Sequence, residues 1–153
     1  MLCMKDSPNN NKNNRVVARS MVEQVLPPSF HVVTPFNSLE EWLTFLCEHE
    51  NLSEPLSEYV IEFSEPPHVL VSLAGYHHDI EQGVPISKIV FQPKQYPWFE
   101  LPMEKYVGLS RQEFIQAIHS ELREFFKTEQ FKRSFLARGF TISTNFGEDL
   151  WTI

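Results

Sequence analysis

Between Ser20 and Ser87 the chain has no lysine and no arginine, although those sixty-eight residues carry eleven carboxylates: Glu23, Glu40, Glu41, Glu48, Glu50, Glu54, Glu58, Glu62, Glu65, Asp79 and Glu81. Glycine is also scarce, five residues against eleven prolines, and the five are not clustered, which excludes a glycine-rich phosphate cradle. Only two cysteines occur, Cys3 in a polar tail and Cys47 in a helical pattern, so a disulfide framework is excluded and a reducing compartment fits. There is no long apolar run, and the first four residues are too short for a signal h-region before Lys5 and Asp6. A cytoplasmic protein with no membrane span is therefore expected.

Charge is the sharpest feature that is present. The formal net charge of −7 divides very unevenly along the chain. Residues 1–19 hold four basic groups against one acidic, residues 20–87 none against eleven, and residues 88–153 nine against eight. Phosphate neutralisation needs clustered Lys and Arg, so nucleic acid is a poor partner for a chain with pI near 5.3. Glutamates are common on solvated faces, and such a run can be only that. Ordinary surfaces nevertheless mix both signs, because a one-sign field repels itself. Its natural use is rapid capture of a basic partner protein.

Thirteen Phe, three Trp and four Tyr give an ordinary core to a single domain. Residues 1–14, rich in Asn, read as a disordered leader before one domain over 15–153. Apolar spacing then predicts a short helix over 16–26, ended by Pro27-Pro28, and a short strand over 30–33. Ser38 with Glu41 predicts a helix start, followed by the stripe Leu39, Trp42, Leu43 and Leu46. Strands are expected over 59–63, 69–73 and 87–91, with a turn through residues 76–83. Hairpin order without intervening helices favours antiparallel pairing. A proline-interrupted loop over 93–102 carries Tyr96, Trp98 and Phe99. Ser110 with Glu113 starts a second helix whose stripe is Phe114, Ile115, Ile118, Leu122, Phe125 and Phe126. Thr128 caps a continuation through Phe131 and Phe135, Gly139 stops it with Phe140 packed back on Phe135, and residues 140–153 close as a terminal hairpin or a last strand. The expected class is α+β: an antiparallel sheet of about four to six strands with two main amphipathic helices packed on it.

Two runs invite chemistry. Cys47, Glu48, His49 and Glu50 offer a thiolate, an imidazole and carboxylates, but helical spacing sends Cys47 and His49 to different sides and no second ligand pair is evident. His77, His78 and Asp79 offer imidazoles beside a carboxylate, which is the basis of an alternative reading as a small metal-dependent hydrolase. No Gly-x-Ser-x-Gly or Cys-x-x-Cys accompanies them. No catalytic residue, metal or cofactor is therefore assigned, and a generic interaction module is a further alternative.

The amphipathic helix over 114–126, the step Phe131-Lys132-Arg133-Ser134-Phe135-Leu136-Ala137-Arg138-Gly139, and the ending from Thr141 to Ile153 resemble bacterial immunity proteins of polymorphic toxin and contact-dependent growth inhibition systems. The resemblance covers about the last forty-five residues. It implies a protein, not an enzyme, that binds and neutralises a cognate toxin domain, often a basic nuclease; it carries over no site residues. The residues expected to meet such a partner are Glu48, Glu50, Glu54, Glu58, Glu62, Glu65, Asp79 and Glu81 for the field and Trp98 as an anchor.

Overall fold

The computed structural model describes residues 32–152. The leader over 1–14 and the helix expected over 16–26 lie outside the described residues, as does the start of the strand expected over 30–33. The described part of that strand, Val32 and Val33, is not extended in a sheet.

Helix α1 spans Leu39–His49, with the Ser38 hydroxyl accepting from the Glu41 N–H at 3.1 Å. The Glu41 carboxylate reaches back one residue further than expected, to the Asn37 N–H at 2.8 Å. The stripe Leu39, Trp42, Leu43 and Leu46 is buried, as its spacing requires. Helix α2 spans Arg111–Phe125 and begins with a complete Ser110/Glu113 capping box. Thr128 then caps α3, Glu129–Lys132, a single turn followed by a 3₁₀ turn over Phe135–Arg138. Among the described residues no helix is long and apolar enough to cross a membrane.

The sheet has six strands: β1 Glu58–Phe63, β2 Leu70–Glu81, β3 Val84–Phe91, β4 Trp98–Glu100, β5 Thr141–Thr144 and β6 Asp149–Thr152. Its order is β3-β2-β1-β5-β6, with β4 also paired to β2. The class is α+β as expected, and every pairing is antiparallel except β1 with β5. That exception follows from the connection: the chain leaves β4, crosses through the helices and returns on the far side of β1, a path long enough to run β5 parallel.

Odd-numbered residues of β1 and β2 face the helices. Tyr59, Ile61, Phe63, Val71 and Leu73 join the α1 and α2 stripes with Phe131, Phe135 and Ile142 in one core. Tyr59 is fully buried at its centre, ring to ring with Phe91 and Phe135. Two glycines make room for it. A Cβ on Gly75 would stand 2.9 Å from the Tyr59 ring, and one on Gly139 only 2.7 Å from it. Gly139 is thus not the left-handed stop expected of it, since its φ is −72°, and Phe140 does not pack back but is 55% exposed. The glycine is needed for space, not for backbone freedom.

The turn expected over 76–83 is shorter than that. Strand β2 continues to Glu81, and only Gln82 and Gly83, both at positive φ, make the turn into β3. Residues 77–81 pair with β3 alone, so the hairpin end projects as a two-stranded ribbon. With a two-residue turn, Glu81 and Val84 form the hydrogen-bonded pair, and Pro85 falls where a backbone N–H would face outward. Having none, it blunts the free edge.

His119 on α2 is buried, with Nδ1 3.1 Å from Glu148 Oε1 and Nε2 2.9 Å from Thr144 Oγ1, tying the β5–β6 hairpin to the helix. Burial pushes its pKa below the usual 6.5, outweighing the upward pull of Glu148. The unfolded chain therefore takes up this proton first as the pH falls. His119 contributes stability that is complete above pH 6.5 and is lost on acidification below it. Urea midpoints should drop on acidification through this window, and His119→Gln should flatten that drop. A second expectation is that Gly139→Ala lowers stability by about 1–3 kcal/mol in urea unfolding, through overpacking against Tyr59.

Candidate functional site

Strands β3 and β4 share one edge of β2. Strand β4 lies against Leu70, Val71 and Ser72, and β3 begins its pairing at Gly75, while β1 holds the opposite edge. Leu73 and Ala74 therefore meet a gap between the two strands. Backbone direction alternates along β2: Val69 C=O accepts from Leu101 N–H on the β4 side, and Leu70 C=O accepts from Ser64 N–H on the β1 side, both at 2.9 Å. Leu73 has the parity of Val69, so its N–H and C=O point into the gap.

Over this gap the open face of the sheet forms a slot of about 250 Å³. Ser72 and Ala74 are its floor, Tyr76 and Ile89 close one end, Pro97 and Trp98 the other, and Glu62 stands at its side. The register explains the grouping. Glu62, Ser72 and Trp98 lie side by side on β1, β2 and β4, and Glu58 pairs with Tyr76. Small residues between two large aromatic ones leave a depression instead of a packed ridge. Ser72, Ala74 and Tyr76 are nearly inaccessible, although none belongs to the core beneath the helices. Desolvation raises the Tyr76 phenol above its usual pKa of 10, and the Glu62 and Glu58 carboxylates add to the rise.

The loop before Trp98 is held from the helix side. Trp42 Nε1 donates to Tyr96 C=O at 2.9 Å, and Glu50 Oε2 accepts from the backbone N–H groups of Lys94 and Gln95, each at 2.9 Å. Phe99 points inward and stacks on Trp42. Tyr96 turns back, edge-on to Phe36 and Phe45. Of the three aromatic residues in the loop, only Trp98 faces the slot.

The expected acidic residues do not all gather here. Glu58 and Glu62 share the open face with Trp98. Glu50 is buried and spent on loop amides, so it belongs to the scaffold and not to a surface field. Glu48, in the last turn of α1, and Glu54, beyond the helix, are exposed. Glu65 meets Arg111 at 3.3 Å, and Glu81 meets Lys88 at 2.8 Å, each pair exposed. Asp79 and Glu81 lie on the projecting ribbon, on the side away from His78.

The histidine run is a strand, not a loop, and strand alternation parts it: His77 and Asp79 face one way, His78 the other. His78 instead joins a polar row across four strands. Its Nδ1 is 2.7 Å from Ser87 Oγ on β3, its Nε2 3.0 Å from Glu58 Oε1, and Glu58 Oε2 accepts from Ser143 Oγ on β5 at 2.6 Å. Serine, histidine and carboxylate stand in sequence, but Ser87 is exposed on the ribbon and neither it nor His78 lines the slot. The row fastens the ribbon to β1 and β5. Cys47 is equally far from reactive chemistry, because burial pushes its thiol up to about 11. Among the described residues no three His, Cys, Asp or Glu side chains converge as metal ligands.

Sequence reasoning found Trp98, Glu58 and Glu62 but missed Tyr76, Ser72 and Ala74. The signal was the alternation along residues 69–74, which continues unbroken through Tyr76. Glu50→Ala should cost about 1–3 kcal/mol in urea unfolding, from two amides left unpaired. Glu54→Ala should stay within about 0.5 kcal/mol, as an exposed substitution does. Compared with family models, with curated proteins and with solved structures, the chain matches none.

Proposed function

We propose that this chain is a stoichiometric binding protein that neutralises a basic protein partner, a cationic toxin domain of the nuclease type, in the cytoplasm. The observation that carries the reading is the grouping of Glu58 and Glu62 with Trp98 and Tyr76 around one depression on the bare face of the sheet. Carboxylates steer a cationic surface, and partly buried aromatic rings supply the contact area that charge alone lacks. The remaining exposed carboxylates, Glu48, Glu54 and Asp79, extend the field without forming the contact. The resemblance of the C-terminal third to immunity proteins points to the same class.

Co-expression with the product of the adjacent gene tests the reading: a one-to-one complex and protection of cells from that product are expected. Replacing Glu48, Glu54 and Glu62 together by Lys should slow association by about ten-fold at low salt and flatten its salt dependence. Unchanged kinetics, with a fold intact by circular dichroism, would remove the electrostatic part of the proposal.

A further inference from the structure

The described chain begins on the open face of the sheet. Val32 N–H donates to Glu100 Oε1 at 3.1 Å, and Glu100 shares that face with Trp98, two residues before it on β4. Three strand carboxylates turn to this side, Glu58, Glu62 and Glu100. Among the described strands the one basic residue is Lys88, and it points to the opposite side, beside Glu81. Apolar surface lies on the same face: Val60 and Trp98 are half-buried, and Ile89 is 44% exposed. The described helices pack on the other face, over Tyr59, Ile61 and Phe63.

We propose that residues 15–31 of this same chain cover the open face, setting the apolar stripe of the helix expected over 16–26 against Val60, Ala74 and Ile89, with Arg15 and Arg19 toward the carboxylates. Place, length and charge all favour this occupant. Glu100 fixes the point at which the segment arrives. From there residues 27–31 reach at most about 18 Å, and the helix adds about 16 Å. The face measures only about 14 Å across β4, β2, β1 and β5. Val17, Met21 and Val25, with Val22 and Leu26 beside them, form the stripe, and Arg15 and Arg19 stand one turn apart at its flank. Residues 1–19 hold four basic groups against one acidic, so they complement this face. A second copy would set its own acidic face against the first, like charge to like. The proposal needs no partner protein, but it places a competitor for one on the surface that the preceding reading uses.

A nitroxide on Ser20→Cys, in the full chain with Cys3→Ser and Cys47→Ala, tests the placement, because Ser20 lies off the apolar stripe. In the nitrogen-15 spectrum the label should broaden the backbone signals of Val60 and Ala74 and leave those of Gln116 and Ser120, on the far side of α2, sharp. Val17→Asp/Met21→Asp should abolish the broadening with the sheet intact by circular dichroism. Arg15→Glu/Arg19→Glu should reduce it, and the reduction should be largest at low salt. Absence of broadening, or equal broadening at α2, overturns the proposal. Broadening of unlabelled-cysteine, nitrogen-15 protein by an added spin-labelled copy assigns the face to a second molecule and overturns it as well. Failure here leaves the binding reading standing, since that reading rests on the co-purified complex.

Discussion

The Tyr59 ring is the constraint on which the rest of the structure depends. It sits with no solvent exposure where β1, β2, the start of the final hairpin and the Phe135 turn converge. Among the described residues its hydroxyl is buried without a hydrogen-bond partner, and desolvation by burial pushes its pKa up to about 12 against the opposing pull of Arg138. An unpaired buried hydroxyl costs about 1–3 kcal/mol, so the packing around the ring has to more than offset it. The offset comes from close approach on both sides, which only Gly75 and Gly139 permit. Glycine is scarce in this chain, and two of the five are spent on one ring.

Gly75 has a second consequence, at the site. It is the first residue of β2 to pair with β3, and the register shifts immediately after it. A bulge bends a strand and displaces its neighbour. Here β3 and β4 are left as separate partners of one β2 edge, with residues 92–97 between them. The slot is thus a product of the core: the glycine that admits Tyr59 from below also marks where the sheet opens above. Glu50 and Trp42, reaching from α1, fix the other lip by holding the loop that delivers Trp98.

Much of this was legible in the sequence wherever local rules decide. Both helix N-caps, both helical stripes and the closing hairpin follow from spacing and turn chemistry, and each is present, although only Ser110 and Glu113 complete the reciprocal box. The ribbon was misjudged because the polar run from His77 to Asp79 reads as a turn, whereas cross-strand pairing to β3 carries β2 through it. Gly139 was misread for a similar reason. Its neighbours suggest a helix stop, but its role is set by a ring eighty residues earlier in the chain. The slot itself depends on which edge of β2 each strand chooses, and no local pattern encodes that choice.

The acidic stretch shows how a one-sign sequence becomes a folded surface. Taken linearly, its carboxylates form a single field, yet folding divides them by task. Glu50 serves as a buried acceptor, Glu58 as a link between His78 and Ser143, Glu65 and Glu81 as partners of cations from the C-terminal half. Exposed pairs of that kind contribute little to stability, so their neutralising effect on the field matters more than their bond. Near the slot, Glu58 and Glu62 stand beside Tyr76 and Trp98 in a partly desolvated setting. In such a setting a charge acts over short range and is screened less by salt than an exposed one. On the proposed reading, the total charge of the chain steers a basic partner, and the aromatic residues beside the slot supply the contact area that charge alone lacks.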